Sequence, residues 1–423
     1  MTYPSITALG ISHKTAPLSV RERFALARPA RRRLLESVGR ESLILVTCNR
    51  TELYALAPPA ELDRLLLAAA GVGEGVFYVH QGEAAARHLF AVAAGLDSMV
   101  LGEPQILGQV KRAMAEAREA RALGPVLDEL LRRALTVGRR VRRETDLGRG
   151  LPSIPKVATG MARLILGDLS GRRMLVVGAG KLGDLTARTL QRAGASSVAV
   201  TNRSPEHAET LAQTIGGRAE PFEALDRLLA EADIVLTCTA SEAPILTRQR
   251  VERALVGRVG DPLVLLDIAV PRDVDAEVRG LAGVRLCDLD DLRGWGSEAV
   301  SPETIAAARE IVDAEARDFL GWQAGLSAVP TIRALQARAE WILEDEIERA
   351  SAADREELRL FGRRVMRKLL HHPIRRLRDS VQAEGDPYLA LARDLFGLEG
   401  PEPDARPDGG GRAGENGGPT RGG

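Results

Sequence analysis

The chain holds three cysteines, Cys48, Cys238 and Cys287, and Cys48 is the one whose setting suits chemistry. It falls in Thr47-Cys-Asn-Arg-Thr51 between two β-rich runs, which places it on the tip of a hairpin loop. A thiol there has two readings: a small apolar residue tucked into a core, or a nucleophile whose thiolate is favoured by the charge of neighbouring Arg50. Cys238 and Cys287 each end an apolar run and read as core residues. An odd number of widely spaced cysteines with no C-x-x-C pair argues against a disulfide framework and a zinc site, and for a reducing compartment. His88, on the helical run Ala84 to Ala94, stands alone, and an isolated helical histidine is ordinarily a partly buried, hydrogen-bonded side chain. The stretch Gly95 to Gln109 sets Asp97, Ser98, Glu103, Gln105 and Gln109 among apolar residues, a density of polar groups that suits an amino-acid pocket and equally suits helix caps. The other histidines are scattered, and no metal site is expected.

The second chemical motif is Gly178-Ala179-Gly180-Lys181-Leu182-Gly183, which follows a strand and opens a helix. In that context Gly178 permits a tight turn, Gly180 lets backbone approach a pyrophosphate, and Gly183 lets helix and strand pack closely. The helix N-terminus adds N–H donors and partial positive charge for the phosphates. An NAD-preferring site would carry an acid at the end of the next strand, where this chain has Thr201-Asn202-Arg203-Ser204. With Arg203 as a fork-shaped donor to a 2'-phosphate, NADPH is the expected cofactor; a solvated loop arginine is the bland alternative.

These residues need a scaffold, and the patterning predicts an α/β multidomain chain. Ile6 to Ile11, a helical stretch to Val38, Leu43 to Thr47, Glu52 to Ala57, a helix at Leu62 to Ala70 and Val76 to Val79 read β-α-β-β-α-β, a ferredoxin-like unit with Thr47 to Thr51 as its central hairpin. Gly82 to Glu144 is helical, with Leu127, Leu131, Ala134 and Val141 on one face and Arg132, Arg139 and Arg143 on another. A linker is expected at Asp146 to Pro155. A Rossmann-type parallel sheet follows: Arg173 to Val177, Ser197 to Thr201, Ile234 to Cys238, Leu263 to Ile268 and Val284 to Cys287, preceded by a helix near Val157 to Leu166. Ser301-Pro302-Glu303 starts a long connecting helix to about Leu326, followed by an all-α bundle from Thr331 to Glu348, Glu356 to His371 and Tyr388 to Leu395. The tail from Pro401, rich in Gly, Pro and Arg, is expected to be disordered. The resulting boundaries are 1–150, 151–290, 291–326, 327–400 and 401–423.

With 45% hydrophobic and 27% charged residues, the 423-residue chain has a globular composition. Its 58 basic and 58 acidic residues cancel, so a nucleic-acid partner would have to be held by local arginine clusters. No signal peptide or membrane span is apparent, and the expected location is the cytoplasm.

Leu9-Gly-Ile-Ser-His-Lys-Thr-Ala-Pro17, Thr47-Cys-Asn-Arg-Thr-Glu-Leu-Tyr54, Gly95 to Gln109, Arg142-Arg-Glu-Thr-Asp146, Gly178 to Gly183 and Asp267-Ile-Ala-Val-Pro-Arg-Asp-Val274 together resemble the glutamyl-tRNA reductase family from Ile6 to about Leu398. The resemblance implies Cys48 as nucleophile and His88 as needed for activity. It implies that Thr47, Asn49, Arg50, Ser98, Glu103, Pro104, Gln105 and Gln109 hold the glutamyl group, with Arg50 on its carboxylate. NADPH would lie at Gly178 to Gly183, and the N-terminal domain would be catalytic. The resemblance also implies a V-shaped homodimer joined through the C-terminal helices, and transient contact with glutamate-1-semialdehyde aminotransferase. The reaction implied is attack of the Cys48 thiolate on the ester of glutamyl-tRNA, then hydride reduction of the thioester to glutamate-1-semialdehyde, the first committed step of the five-carbon route to 5-aminolevulinate and tetrapyrroles. Ser153-Ile-Pro-Lys156 departs from the family's usual small and hydroxyl residues. Two other classes compete: an NADP-dependent dehydrogenase of a small polar metabolite, which leaves the N-terminal domain without a role, and an inactive tRNA-binding relative, which leaves Cys48 and the glycine loop unexplained.

Overall fold

The computed structural model describes residues 5–75, 77–103, 105–147, 153–292, 300–349, 351, 354–384 and 387–398. Pro104, half of the expected linker (148–152) and the tail from Pro401 lie outside them. The chain divides into two compact units, one running to Phe319 and the other from Leu320.

The larger unit begins with β1 (Thr7–Ser12), α1 (Leu18–Arg21), α2 (Arg28–Val38), β2 (Ser42–Val46), β3 (Arg50–Ala55), α3 (Pro59–Ala70) and β4 (Tyr78–Gln81). The strands form an antiparallel sheet of order β2-β3-β1-β4, the ferredoxin-like arrangement expected from the β-α-β-β-α-β run. Helices α4 (Glu83–Ala94), α5 (Gln105–Glu119) and α6 (Pro125–Glu144) follow, with α4 packed on β4 and α5 on β2. Covered in this way, β1 and β3 are buried at every position, and charged residues of β3 are carried inside with its apolar ones. The central hairpin is shorter than expected. Arg50 and Thr51 pair with Ser12 and Ile11 of β1, leaving Thr47 to Asn49 as the loop. The last strand is two residues later than expected, because Tyr78 pairs with Gly10. On α6 the two faces separate as expected: Leu127, Leu131, Ala134 and Val141 are buried while Arg132, Arg139 and Arg143 are exposed.

After α7 (Ile154–Leu166) come β5 (Arg173–Val177), α8 (Lys181–Arg192), β6 (Ser196–Thr201), α9 (Pro205–Ile215), β7 (Arg218–Glu220), α10 (Leu225–Glu231), β8 (Ile234–Thr237), α11 (Arg248–Ala254), β9 (Leu263–Asp267) and β10 (Val284–Asp288). The sheet is parallel with order β10-β9-β8-β5-β6-β7, the doubly wound topology whose switch point lies between β5 and β8. β7 was not foreseen: it is a three-residue edge strand, Arg-Ala-Glu, with no apolar run to betray it. Helix α12 (Pro302–Gly325) starts at the expected cap, and Ala308, Val312 and Phe319 are buried along it.

The second unit holds α13 (Ala328–Glu348), α14 (Arg355–Glu384) and α15 (Pro387–Leu395). α14 runs well beyond His371, where it was expected to stop, straight through Pro373. Proline there removes one backbone hydrogen bond. Continuing the helix carries Ile374 and Leu377 against Ala328, Ile332, Leu389 and Ala392, and that burial outweighs the loss.

Candidate active site

Two constellations stand in the larger unit, one on the antiparallel sheet and one at the switch point of the parallel sheet. The first depends on β-strand periodicity. Arg50, Glu52 and Tyr54 occupy alternate positions of β3 and therefore share one face. Gly10 pairs with Glu52 on one side and with Tyr78 on the other, and a Cβ at Gly10 would stand 2.8 Å from the Glu52 Cγ. The missing side chain leaves a gap through which the Glu52 carboxylate reaches β4. Its two oxygens accept from Arg50 Nη1 at 2.5 Å, from Tyr54 Oη at 2.6 Å and from Tyr78 Oη, and lie 2.9 Å from His88 Nε2. The His88 ring also stacks near Tyr78 and His80. Arg50 continues the network to Asp97 Oδ2 at 3.0 Å and to the Asp97 carbonyl, and Lys14 closes it on Asp97.

Arg50 and Lys14 thus balance Glu52 and Asp97. Burial alone would raise the Glu52 pKa, but Arg50, followed by His88 and Tyr54, holds it well below the ordinary carboxylate range. Asp97 is likewise lowered: burial opposes, and Arg50 and Lys14 prevail. This corrects the expectation of an Arg50 free to take a substrate carboxylate. Its guanidinium is buried and already committed to two protein carboxylates.

Cys48 sits beside this network in the loop held by Thr47, whose Oγ1 accepts from the N–H groups of Asn49 and Arg50. It is half-buried rather than a free tip and packs against the apolar core of the parallel-sheet half. Burial, then the charge of Glu103, pushes its thiol pKa up to about 12; Arg21 and Arg50 act in the opposite direction and do not prevail. The charge of Arg50, on which the expected thiolate rested, is thus outweighed by burial. Glu103 is itself buried, with its carboxyl pushed up to about 7 by burial against the weaker pull of Arg142. The loop that carries Asp97, Ser98 and Glu103 is pinched at its base, where Gly102 N–H donates to the Gly95 carbonyl at 2.9 Å and a Cβ on Gly95 would meet the Gly102 Cα at 2.9 Å. Arg142 ties the loop down, donating to the carbonyls of Ala93, Gly138 and Glu103. Ser98 lies within that loop, and Gln105 and Gln109 lie on the first turns of α5, all three half-buried.

Three residues near Cys48 were missed by sequence reasoning. His13 donates its backbone N–H to the Asn49 carbonyl at 2.9 Å, and its pKa is lowered to about 4, mainly by burial and then by Arg50. His13 Nδ1 and Asn49 Oδ1 are buried without a hydrogen-bond partner, the kind of unmet polar atom that a ligand can satisfy. Arg21 donates to the Cys48 carbonyl at 2.7 Å. A signal for Glu52 was present in the form of an acid inside an otherwise buried strand; for His13 and Arg21 none was.

The second constellation fits a dinucleotide. Gly178 has a left-handed φ of 103°, and its N–H donates to the Thr201 carbonyl at 2.9 Å, which turns the chain sharply off β5. Gly180 caps the twelve-residue α8, and Ala179, Lys181 and Leu182 complete the turn. A Cβ on Gly183 would lie 2.1 Å from the Cys238 Sγ, so the helix rests directly on the end of β8. At the end of β6, Asn202 donates to the Ser204 carbonyl at 3.3 Å, while Arg203 is exposed on a cleft of about 340 Å³ shared with Ser241, Thr247 and Arg250. The absence of an acid there and the presence of that arginine suit a 2'-phosphate. A replacement of Gly183 by Ala should weaken NADPH binding about tenfold or more, as overpacking of this order shifts helix or strand. Titration by nucleotide fluorescence checks this, and adding Cys238→Ala to the same protein should restore much of the affinity by relieving the clash.

A doubly wound dinucleotide fold joined to a separate sheet that carries a thiol beside polar loops defines an NADP-dependent oxidoreductase with its own substrate domain. Family models describe residues 9–145 as the N-terminal domain of glutamyl-tRNA(Glu) reductase, 160–295 as shikimate/quinate 5-dehydrogenase, and 307–398 as the glutamyl-tRNA(Glu) reductase dimerisation domain. Similar proteins include the glutamyl-tRNA reductases of Myxococcus xanthus, 41% identical with 93% of this chain and 94% of that one covered, and of Rubrobacter xylanophilus, 42% identical with 95% and 99% covered. The solved glutamyl-tRNA reductase of Methanopyrus kandleri is 30% identical over 92% of this chain and 98% of its own, with a TM-score of 0.47. The chain belongs to the glutamyl-tRNA reductase family.

Proposed function

We propose that this chain is an NADPH-dependent enzyme that reduces glutamyl-tRNA(Glu) to glutamate-1-semialdehyde and releases tRNA, the first step of tetrapyrrole synthesis by the five-carbon route, and that Cys48 carries the glutamyl group as a thioester between the two half-reactions. One observation supports this most directly: Cys48 borders the same apolar cluster as Ala179, Leu182 and Cys238 of the nucleotide loop and its neighbour. In this reading Asn49, Ser98, Gln105 and Gln109 bind the glutamyl moiety, His13 Nδ1 and Asn49 Oδ1 offer it unmet polar atoms, and the Glu52 network with His88 holds β3 and the loop rigid. Gly178 to Gly183 cradle the pyrophosphate and Arg203 the 2'-phosphate. NADPH, when bound, supplies the hydride that takes the thioester to the aldehyde. The domain limits are proposed at 1–150 for the catalytic part, 151–290 for the cofactor part, 291–326 for the connecting helix and 327–400 for dimerisation.

Among the described residues no helix is long and apolar enough to cross a membrane, and we place the enzyme in the cytoplasm. Mass spectrometry of the product from purified glutamyl-tRNA and NADPH tests the activity; turnover of a free small metabolite without tRNA would overturn it.

The dimerisation region offers a matching surface. Phe361, Val365 and Leu369 recur every four residues on α14 and are 62%, 37% and 64% exposed. A second copy of the chain would cover this stripe, and transient docking of the aminotransferase that consumes the aldehyde is proposed at the resulting dimer. Phe361→Asp should shift the protein from dimer to monomer by light scattering at micromolar concentration; an unchanged mass would exclude this stripe from the interface.

A further inference from the structure

Arg21 ends α1 and is only 3% exposed, although nothing in its local sequence calls for a buried cation. Its guanidinium joins two parts of the molecule. Nη1 donates to the Cys48 carbonyl at 2.7 Å and Nε to the Ala16 carbonyl at 3.2 Å, while Nη2 meets Asp290 Oδ1 at 2.5 Å. Asp290 lies just past β10, the edge strand of the parallel sheet, and its other oxygen accepts the Leu18 N–H at 2.8 Å. One carboxylate of the cofactor half therefore holds both ends of α1. A second bridge, Arg272 Nε to Glu22 Oε2 at 2.9 Å, makes the same connection one residue along.

A buried guanidinium is stable only when its donors are matched by acceptors, and its planar fork fixes the relative position of whatever it binds. Here the objects bound are the peptide of the reacting cysteine and the sheet that carries the nucleotide loop. Thr47 Oγ1, the His13 N–H and the packing of Cys48 on the apolar cluster hold the loop as well, but among the described contacts of the Cys48 peptide the Arg21 fork is the one tied by an ion pair to the cofactor half. Hydride transfer is sensitive to placement, and about 1 Å of error costs on the order of 100-fold in rate. Thiolate attack on the ester needs only Cys48 and the bound glutamyl group, all held on the antiparallel half.

We propose that Arg21 and Asp290 form a positioning couple that registers the Cys48 loop against the cofactor-binding sheet, so that the thioester is presented to the hydride donor as soon as it forms. The couple acts on the second half-reaction and not on the first. This rests on the reading of Cys48 as the nucleophile. Asp290 touches neither substrate nor cofactor in this arrangement, and Arg21 acts through the Cys48 carbonyl.

The test uses the full-length protein with Asp290→Ala, glutamyl-tRNA, and NADPH present or absent. Without NADPH, the glutamyl adduct on the Cys48 peptide should form at close to the parental rate, read by mass spectrometry after acid quench. With NADPH, aldehyde output should fall about 10- to 100-fold while free glutamate, released by water from the waiting thioester, rises as a share of product. NADPH affinity should stay parental, and Asp290→Glu should recover part of the aldehyde. Arg21→Lys, which keeps the charge and loses the fork, should shift the product ratio in the same direction and serves if Asp290→Ala does not fold. A parental aldehyde-to-glutamate ratio in either folded variant overturns the couple, and so does an equal loss of adduct and aldehyde. Absence of any adduct in the parent protein is a different failure: it removes the thioester itself, and with it this inference.

Discussion

Cys48→Ala is expected to produce no measurable glutamate-1-semialdehyde while NADPH and glutamyl-tRNA still bind. The expected fall in turnover is at least about 10³-fold, since the variant lacks the proposed nucleophile and not merely a group that orients it. Binding should survive because the glycine loop and the polar residues of α5 belong to other segments, and removal of one half-buried sulfur costs little packing. In the parent protein without NADPH, tRNA should be expelled and one hydroxylamine-labile glutamyl group should appear on the Cys48 peptide. The thiol is pushed up to about 12 by burial and by Glu103, so at neutral pH its deprotonated fraction grows about tenfold for each pH unit. NADPH-independent release of tRNA, corrected with the alanine variant as blank, should therefore climb between pH 6.5 and 8.5, roughly as that fraction does. Near-parental aldehyde production by Cys48→Ala would return the residue to the bland role of a small loop side chain.

The parts of this site that could be read from sequence are those whose physics is local. The bounds of β5 and the turn after it follow from an apolar run and the spacing of three glycines, and the structure puts Gly178, Gly180 and Gly183 where a turn, a helix cap and a helix–strand contact need them. Cys48 on a hairpin follows from the alternation of its flanking strands. Electrostatics could not be read that way. Sequence proximity suggested that Arg50 governs the thiol, yet burial and Glu103 decide its state and Arg50 is spent on Glu52 and Asp97. The His88–Glu52 contact spans 36 positions and the Arg21–Asp290 contact 269, and no periodicity relates such pairs. The length of α14 was missed for a similar reason: the cost of Pro373 is local, whereas the packing of Leu377 that favours continuing the helix is tertiary.

The same balance of charge makes Glu52 a sensitive structural residue of the antiparallel sheet. Glu52→Gln keeps the shape and removes the charge, leaving Arg50 buried against a neutral amide with only the half-buried Asp97 to compensate it. Removal of one partner from a buried ion pair costs about 3–5 kcal/mol, and the amide cannot accept at once from Arg50, Tyr54, Tyr78 and His88 as the carboxylate does. The urea midpoint at pH 7 should fall accordingly, with loss of turnover as β3 and the Cys48 loop loosen together. The pH dependence gives a sharper check. The folded-state pKa of Glu52 is depressed, so its contribution is fully present above the unfolded value near 4.3 and is lost as pH falls below that toward the lower folded value. The variant cannot titrate at this position. The stability gap between parent and Glu52→Gln should thus narrow as the pH is taken from about 4 toward 2. A gap that stays the same across that acid range would mean that the cost of the substitution lies in packing or hydrogen-bond geometry, and that the Arg50–Glu52 charge pair does not hold this sheet.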